Sequence, residues 1–226
     1  MSDNQIIQSI VTDDEPSLQL PDLVSKKKLI KYEEGNMAFD SHDTMNYFYF
    51  IMSGKIKISQ IHPDTAKEQT TSILTRGDMF DTITLLDGEE HEYISTVLED
   101  SEVVQVPIAH VRELIQNDTK FKSFFFPYLA KQMRDSEQLS IDLSLYDVYN
   151  RLLRLIGRNV ERRPNGTTKL NLIDNLSHEE LASLVGSVRK VVNRSLQKLK
   201  DEGVIELSRK QMKLKNLKHL LDKLKY

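Results

Sequence analysis

The stretch LSHEELASLVGSVRKVVNRSLQKLKDEGVI, residues 176–205, decides the fold of the C-terminal part of the chain. Ser177 and Glu180 stand three positions apart before an apolar run, which is the spacing of a capping box at a helix start. Gly186 favours the end of that helix, and a second helix over residues 187–203 follows after almost no linker. Two helices joined by so short a turn predict a helix-turn-helix unit.

The second of these helices carries two distinct faces. Its apolar residues fall at helical spacing and predict a buried stripe: Val188, Val192, Leu196 and Leu199. Four hydrogen-bond donors share another face: Arg189, Lys190, Asn193 and Arg194. Such donors suit the acceptor-rich major groove of DNA, where arginine or lysine pairs with guanine and asparagine with adenine.

A hairpin and an excess of positive charge accompany the two helices. Residues 204–215, VIELSRKQMKLK, predict a two-stranded wing whose turn, with Arg209 and Lys210, could contact phosphate. Residues 144–226 contain 18 lysines and arginines against 9 acidic residues, whereas residues 1–143 contain 13 against 25. A basic helix face alone is more often solvated surface, but the tight turn, the wing and this charge asymmetry together favour DNA.

The composition of the 226 residues excludes several classes of protein. Because the chain has no cysteine, it has no disulfides, thiolate zinc sites or cysteine-ligated iron–sulfur clusters. No apolar run is long enough to span a membrane, and the first residues are acidic rather than signal-like, so we expect a cytoplasmic protein without membrane contact. Neither a phosphate-binding loop nor a hydrolase motif occurs, so we expect no enzyme and no metal site.

The N-terminal part of the chain has the sequence pattern of a series of short strands separated by turns. From residue 26 to about residue 107, β-rich runs are separated by turn residues at positions 33–36, 53–54, 62–64, 76–78 and 99–100. This pattern predicts a small antiparallel β-roll of jelly-roll type. Together with the C-terminal helices it indicates an α+β fold.

A long helix is predicted from residue 117 to residue 144, with Asp118 or Thr119 as its N-cap. Pro127 lacks a backbone N–H, so we expect a kink or a late helix start there. Spacings of 4 and 3 alternate in a heptad seam suited to pairing with a second copy: Phe125, Leu129, Gln132, Ser136, Leu139 and Leu143. The same spacing also fits a helix packed on its own domain.

This arrangement resembles the Crp/Fnr superfamily of bacterial transcription regulators. Residues 176–205 match its winged helix-turn-helix, DVYNRLLRLI with Asp147 and Arg151 matches its interdomain link, and the segments around Gly54 and at 76–78 match its β-roll. The resemblance implies that Arg189, Lys190 and Arg194 occupy the family's base- and phosphate-contacting positions. Together with the donor face and the wing, the predicted DNA contacts are Ser187, Arg189, Lys190, Asn193, Arg194, Arg209 and Lys210. Many members have glutamate at the position of Lys190, so the operator should differ from the familiar one.

The sensor region departs from the pattern of the members that bind cyclic nucleotides. In those members Gly-Glu holds the ribose and Arg-Ser or Arg-Thr holds the cyclic phosphate, but the aligned pairs here are Asp81-Thr82 and Glu92-Tyr93. A carboxylate repels phosphate where an arginine would bind it, so the resemblance implies a degenerate pocket without a cAMP or cGMP response. Ser136 aligns with a further ligand-contacting position.

The combined prediction is a homodimeric transcription regulator that binds a near-palindromic double-stranded operator and works with RNA polymerase. Its domains would be a β-roll sensor at 1–116, a dimerisation helix at 117–144 and a winged helix-turn-helix at 145–226. No cofactor is expected, although haem bound through His42, His91 or methionine stays open. The alternative is a small-ligand sensor, of haem or a gas for example, that acts through protein contacts.

Overall fold

The computed structural model describes residues 27–162, 168–208 and 211–224 of the chain. These residues divide into two compact units, one ending at Leu139 and the other beginning at Ser140. The first unit is built on an antiparallel sheet, and the second is mostly helical with two small hairpins. The predicted α+β fold is confirmed.

In residues 27–117, the described part of the N-terminal unit before its long helix, five strands and three helices form a roll. The strands are β1 (Lys28–Tyr32), β2 (Tyr47–Ile61), β3 (Glu68–Leu74), β4 (Met79–Phe80) and β5 (Ile94–Pro107). They form an antiparallel sheet in the order β1-β5-β2-β3, and β4 pairs with β2. The helices are α1 (Ser41–Thr44), α2 (Thr82–Asp87) and α3 (Ile108–Asn117).

The alternation of side chains along β2 divides the buried residues of the roll between two clusters. Phe48 and Phe50 belong to the cluster that contains residues of α3, whereas Tyr49 and Ile51 belong to the other. All four are at most 1% exposed. Because successive side chains of a strand point to opposite faces, one strand serves both clusters.

Two of the predicted turns are wrong. Positions 53–54 lie inside the continuous strand β2, and positions 99–100 lie inside β5. The two strands stay paired through bulges there, with Gly54 at φ +88°. A Cβ on Gly54 would lie 2.5 Å from the carbonyl oxygen of Asp100. Gly54 therefore allows the backbones of β2 and β5 to approach closely at a bulge, and β2 continues through it.

The long helix α4 (Thr119–Leu145) crosses the boundary between the two units. It begins at the predicted place, because the Asp118 carboxylate accepts a hydrogen bond of 2.7 Å from the backbone N–H of Phe121. The expected late start at Pro127 is wrong, since that proline lies within the helix. Phe121, Phe125 and Tyr128 anchor the helix in the same cluster as α3.

In its described residues after Leu145, the C-terminal unit has three helices, two hairpins and a last helix. Its elements are α5 (Val148–Arg158), β6 (Val160–Arg162), β7 (Thr168–Leu170), α6 (His178–Leu184), α7 (Arg189–Asp201), β8 (Ile205–Ser208), β9 (Gln211–Leu214) and α8 (Leu217–Leu224). Strands β6 and β7 form one antiparallel hairpin, and β8 and β9 form the other. Within the described ranges, no helix has the length and apolar character needed to cross a membrane.

Candidate nucleic-acid interface and sensor region

Helices α6 and α7 form the helix-turn-helix, and the local sequence explains the turn. The capping box is present, because the Ser177 side chain accepts from the Glu180 N–H while the Glu180 carboxylate accepts from the Ser177 N–H. At the other end of α6, the Ser187 N–H donates to the Ala182 carbonyl at 2.9 Å, and Gly186 has φ +62°. This is a Schellman ending, which needs a left-handed residue at the position of Gly186.

Helix α7 buries one face and exposes the other. Val192, Leu196 and Leu199 are fully buried, as the spacing predicts. Val188 is 56% exposed, so its place in the buried stripe is wrong. It precedes the helix in an extended conformation, and the helical period therefore does not apply to it. The four donors are all exposed: Arg189, Lys190, Asn193 and Arg194.

The cations on this face differ from those elsewhere in the unit. Within the described residues, no ion pair involves Arg189, Lys190 or Arg194. By contrast, the ammonium of Lys223 lies 2.9 Å from the carboxylate of Glu202, which follows the end of α7. Exposed cations without carboxylate partners keep their charge available for a polyanion.

The remaining predicted DNA contacts flank α7. Ser187 is half-buried in the turn, next to the helix start. Strands β8 and β9 form the predicted wing. Arg209 and Lys210, which follow β8 in the sequence, lie outside the described residues.

His178 is a residue of this surface that the sequence analysis missed. It is the first residue of α6, and its Nδ1 lies 2.5 Å from Oδ1 of Asn193 on α7. The capping box at Ser177 places the next side chain at the exposed helix start, which is the only signal in the sequence that points to it. The contact joins the two helices on the face that carries the donors.

Arg151 fixes the link between the long helix and the helix-turn-helix. Its guanidinium donates to three carbonyl groups, those of Tyr146 at 2.8 Å, Val185 at 2.9 Å and Leu143 at 3.0 Å. Asp147 caps α5 by accepting from the Asn150 N–H at 2.8 Å. These four hydrogen bonds give a physical role to Arg151 and Asp147, the residues that carried the resemblance in the link.

A buried carboxylate reinforces the same junction. Asp142, in the last turns of α4, is 3% exposed and lies 2.6 Å from Arg154 Nε and 2.5 Å from an Nη of Arg158. Arg154 also stacks over the ring of Tyr146, 4.3 Å from its centre. The end of α4 is thus tied to α5 by charge-assisted hydrogen bonds as well as by the Arg151 clamp.

In the sensor region, Asp81 serves as the N-cap of α2. Its carboxylate accepts from the Ile83 N–H at 3.2 Å and from the Thr84 hydroxyl at 2.8 Å, and His91 Nδ1 lies 3.4 Å away. Asp81 is 3% exposed, whereas Thr82 is half-buried. The carboxylate is therefore committed to the protein's own groups.

Aromatic rings pack against Tyr93 of the second aligned pair, Glu92-Tyr93. Tyr93 packs edge-on against Phe80 at 4.8 Å, and Phe80 stacks on Phe39 at 4.7 Å. Burial raises the pKa of the Tyr93 phenol, which keeps it neutral. Glu92 is exposed. The described part of the chain holds no cluster of three or more His, Asp or Glu side chains that could ligate a metal.

Arg112 lies nearby but serves the protein backbone. It donates to the carbonyl groups of Leu85 at 2.9 Å and Thr84 at 3.0 Å, which are the C-terminal carbonyls of α2. No other arginine stands between Arg76 and Arg112 in the sequence. The positive charge of Arg112 therefore caps the C-terminal end of α2.

The exposed face of α4 differs from the predicted seam. Phe125 is fully buried in the roll, so it cannot lie between two copies, and this part of the prediction is wrong. Gln132 forms a side-chain hydrogen bond with Tyr128, and Leu139 is half-buried. Phe126 and Met133, one heptad apart, are 51% and 67% exposed. Leu129 and Leu143 are half-buried, and Ser136 is exposed.

Comparisons with known proteins agree with this architecture. The family model of the cyclic nucleotide-binding domain matches residues 29–118, and that of the Crp-like helix-turn-helix domain matches residues 148–223. The chain is 25% identical over 201 residues to the CRP-like cAMP-activated global transcriptional regulator of Mycobacterium tuberculosis, covering 88% of each protein. It is 29% identical over 195 residues to the anaerobic regulatory protein of Bacillus subtilis, covering 84% of this chain and 79% of that one.

Solved structures share the fold. A CooA mutant from Carboxydothermus hydrogenoformans superposes with a TM-score of 0.75 at 19% identity, covering 96% of this chain and 99% of the other. A CRP/FNR-family transcriptional regulator from Thermus thermophilus superposes with a TM-score of 0.68 at 18% identity, covering 88% and 99%. The Mycobacterium relative is a transcriptional regulator and not an enzyme, as expected for this chain. With a cyclic-nucleotide-binding-type roll, a Crp-like helix-turn-helix and these relatives, the chain belongs to the Crp/Fnr family of DNA-binding transcription regulators.

Proposed function

We propose that the protein is a homodimeric regulator that reads its operator through α7 and does not respond to cAMP or cGMP. The observation that carries the proposal is the cluster of exposed donors on α7, whose cations have no carboxylate partners in the described residues. Arg189, Lys190 and Asn193 would face base edges, and Arg194 with Ser187 would contact bases or phosphates. Arg209 and Lys210 in the wing would add phosphate contacts.

The proposed dimer uses a seam shifted from the one expected. Phe126 and Met133 are exposed and follow the same heptad spacing as Leu129, Ser136 and Leu143. With Ser140, they form a continuous series at spacings of 3 and 4: Phe126, Leu129, Met133, Ser136, Ser140 and Leu143. This stripe would bury its apolar members against a second copy, as in a coiled coil.

A twofold dimer determines the form of the operator. Two copies of α7 related by a twofold axis enter successive major grooves about 34 Å apart, so the operator would be near-palindromic. Lys190 can only donate hydrogen bonds, so it would favour guanine or thymine acceptors, or phosphate. Once bound, the dimer would act on transcription together with RNA polymerase.

The sign of the charges in the roll supports the proposed lack of a cyclic-nucleotide response. Asp81 is occupied as a helix cap, Arg112 is occupied by backbone carbonyls, and Glu92 stands at the aligned phosphate position. A cyclic phosphate entering this region would lose hydration without gaining an arginine. The Mycobacterium relative is named as cAMP-activated, so this chain would differ from it in its signal.

The test is selection of a binding site from random double-stranded DNA, followed by affinity measurements at several salt concentrations. We expect specific binding that weakens steeply, on the order of a thousand-fold between 50 and 200 mM salt if about six phosphates are contacted. The variant with both Arg189→Ala and Arg194→Ala should lose this binding. The control with both Lys28→Ala and Arg76→Ala removes two exposed cations from the roll and should retain it.

Two results would contradict the proposal. If no sequence were enriched, reading by α7 would be wrong and the alternative of a sensor acting through protein contacts would gain support. If the roll variant weakened binding as much as the α7 variant, the donors on α7 would contribute only general positive charge.

A further inference from the structure

We propose that His178 is a specificity-determining residue that turns Asn193 into a reader of hydrogen-bond acceptors, guanine or thymine, instead of adenine. The inference rests on the proposed reading of DNA by α7 and adds a residue from α6 to it. The contact that carries it joins His178 Nδ1 and Asn193 Oδ1 at 2.5 Å.

The chemistry of the two atoms decides which one donates. An amide oxygen has no hydrogen and can only accept, so Nδ1 of His178 must carry the proton of this hydrogen bond. The imidazole therefore holds the oxygen side of the Asn193 amide toward α6. The amide nitrogen, with two N–H donors, has no hydrogen-bond partner within the described part of the chain.

To read adenine, asparagine must present both its amide nitrogen and its amide oxygen to the base. Adenine presents an acceptor, N7, beside a donor, the N6 amino group, and asparagine matches them with its amide nitrogen and oxygen side by side. Guanine presents two acceptors, N7 and O6, and thymine presents O4. An Asn193 whose oxygen is held by His178 offers donors to the groove, which fits guanine or thymine.

The scaffold around the pair is rigid enough to hold this orientation. The backbone of His178 is fixed by the capping box between Ser177 and Glu180. Helices α6 and α7 pack against each other and bury apolar residues, among them Leu181, Ala182 and Val192. Because His178 is only half-buried and Asn193 is exposed, and neither belongs to that core, substitutions at these positions leave it intact.

The experiment compares the base preferences of full-length variants by selection from random double-stranded DNA. Asn193→Ala identifies the operator position that Asn193 reads, as the position where the preference is lost. At that position we expect guanine or thymine for the wild type and a shift of at least tenfold toward adenine for His178→Ala. Affinity for random DNA should stay within twofold of the wild type.

Two further variants test whether His178 positions the Asn193 amide or has only a structural role. His178→Asp can only accept, so the amide must turn its nitrogen to the carboxylate and expose its oxygen, which should increase the preference for adenine or cytosine. Gln197→Ala is the matched control, because it also removes a side-chain hydrogen bond of α7, the one of 2.7 Å to Asp201. Its preference should equal that of the wild type.

The outcomes distinguish this inference from the proposed function. If the wild type enriches an operator and His178→Ala leaves the Asn193 position unchanged, the inference is wrong and reading by α7 stands. A uniform loss of affinity for all sequences would make His178 a phosphate contact and would also overturn it. If the wild type enriches no sequence, the proposed function and this inference fail together.

Discussion

Arg189 and Lys190 are adjacent donors on α7 with different chemistry. The arginine guanidinium is a planar fork that can make two parallel hydrogen bonds to guanine O6 and N7. The lysine ammonium is a compact charge that donates in any direction and so discriminates less between acceptors. A glutamate at the Lys190 position would instead accept from cytosine N4. We therefore expect Arg189 to supply more of the sequence preference than Lys190.

Replacement of Arg189 by alanine should weaken binding to the selected operator by about 1 to 3 kcal/mol and should weaken binding to random DNA much less. The loss is specific because a bidentate contact to guanine is made only at the correct base. Titrations of both DNAs at one salt concentration measure it. Lys200→Ala, an exposed lysine at the far end of α7, is the control. Equal losses on both DNAs would show that Arg189 contacts only phosphate.

The sequence could predict the donor face of α7 but not all of its neighbours. The spacing of Arg189, Asn193 and Arg194 fixes a common face once the helix exists, because its period is constant. The helical period does not apply to Val188, because this residue precedes the helix and has extended backbone angles. The contact of His178 with Asn193 depends on how two helices pack across a turn, which residue spacing does not contain.

Within helix α4, the same spacing rule allowed two registers. Leu129, Ser136 and Leu143 fit both, whereas the choice between Phe125 and Phe126 depends on which face the roll covers. The roll buries Phe121, Phe125 and Tyr128, and this leaves Phe126 exposed. A heptad pattern alone cannot tell an intramolecular contact from an intermolecular one, because both bury the same kind of stripe.

A glutamate at Met133 should separate the dimer. It would place a charge from each copy in a contact meant to be dry, which costs several kcal/mol unless the helices part. Met133 is 67% exposed in the single chain, so folding of the protomer should be unaffected. Analytical ultracentrifugation at micromolar concentration should find a monomer that no longer binds the operator. Arg134→Glu is the control, and a dimeric Met133→Glu protein would place the interface elsewhere.

Tyr128 anchors α4 to the roll through a buried hydroxyl. It donates to the Met79 carbonyl at 3.1 Å and accepts from the Met79 N–H at 2.8 Å. Tyr128→Phe should therefore lower the free energy of unfolding by about 1 to 3 kcal/mol, because it leaves a buried N–H unpaired. Chemical denaturation measures the loss, and an unchanged stability would mean that water replaces the hydroxyl.

The same residue gives the stability a dependence on alkaline pH. Burial raises the pKa of Tyr128 above that of an unfolded tyrosine, about 10. Above pH 10 the unfolded chain loses this proton while the folded chain keeps it, so stability falls as the pH rises. Tyr128→Phe should show a shallower fall between pH 10 and 11 than the wild type.

At the scale of the whole molecule, negative and positive charge are concentrated in different parts of the chain. Residues 1–143 carry a net charge of −12 and residues 144–226 a net charge of +9. A polyanion is attracted by the second region and repelled by the first, so DNA should be directed to the helix-turn-helix. The overall charge of −3 hides this division, which only the distribution along the sequence reveals.

The purified protein should bind neither cAMP nor cGMP in calorimetric titrations up to about 1 mM, a threshold of roughly −4 kcal/mol. It should bind its operator equally well with and without them. The physical reason is the acidic residue at the aligned phosphate position and the commitment of Asp81 and Arg112 to α2. A micromolar affinity together with tighter operator binding would show that the roll has a working nucleotide site.

For anyone who joins this DNA-binding half to a different sensor, the cut belongs before Ser140 and not at residue 145. A chimera cut at 145 would take Asp142 away from Arg154 and Arg158 and replace it with whatever residue the other sensor supplies. Removing the carboxylate from a buried ion pair costs about 3 to 5 kcal/mol. The interchangeable part therefore includes the last six residues of α4, which continue the long helix in sequence but are bonded to the DNA-binding half.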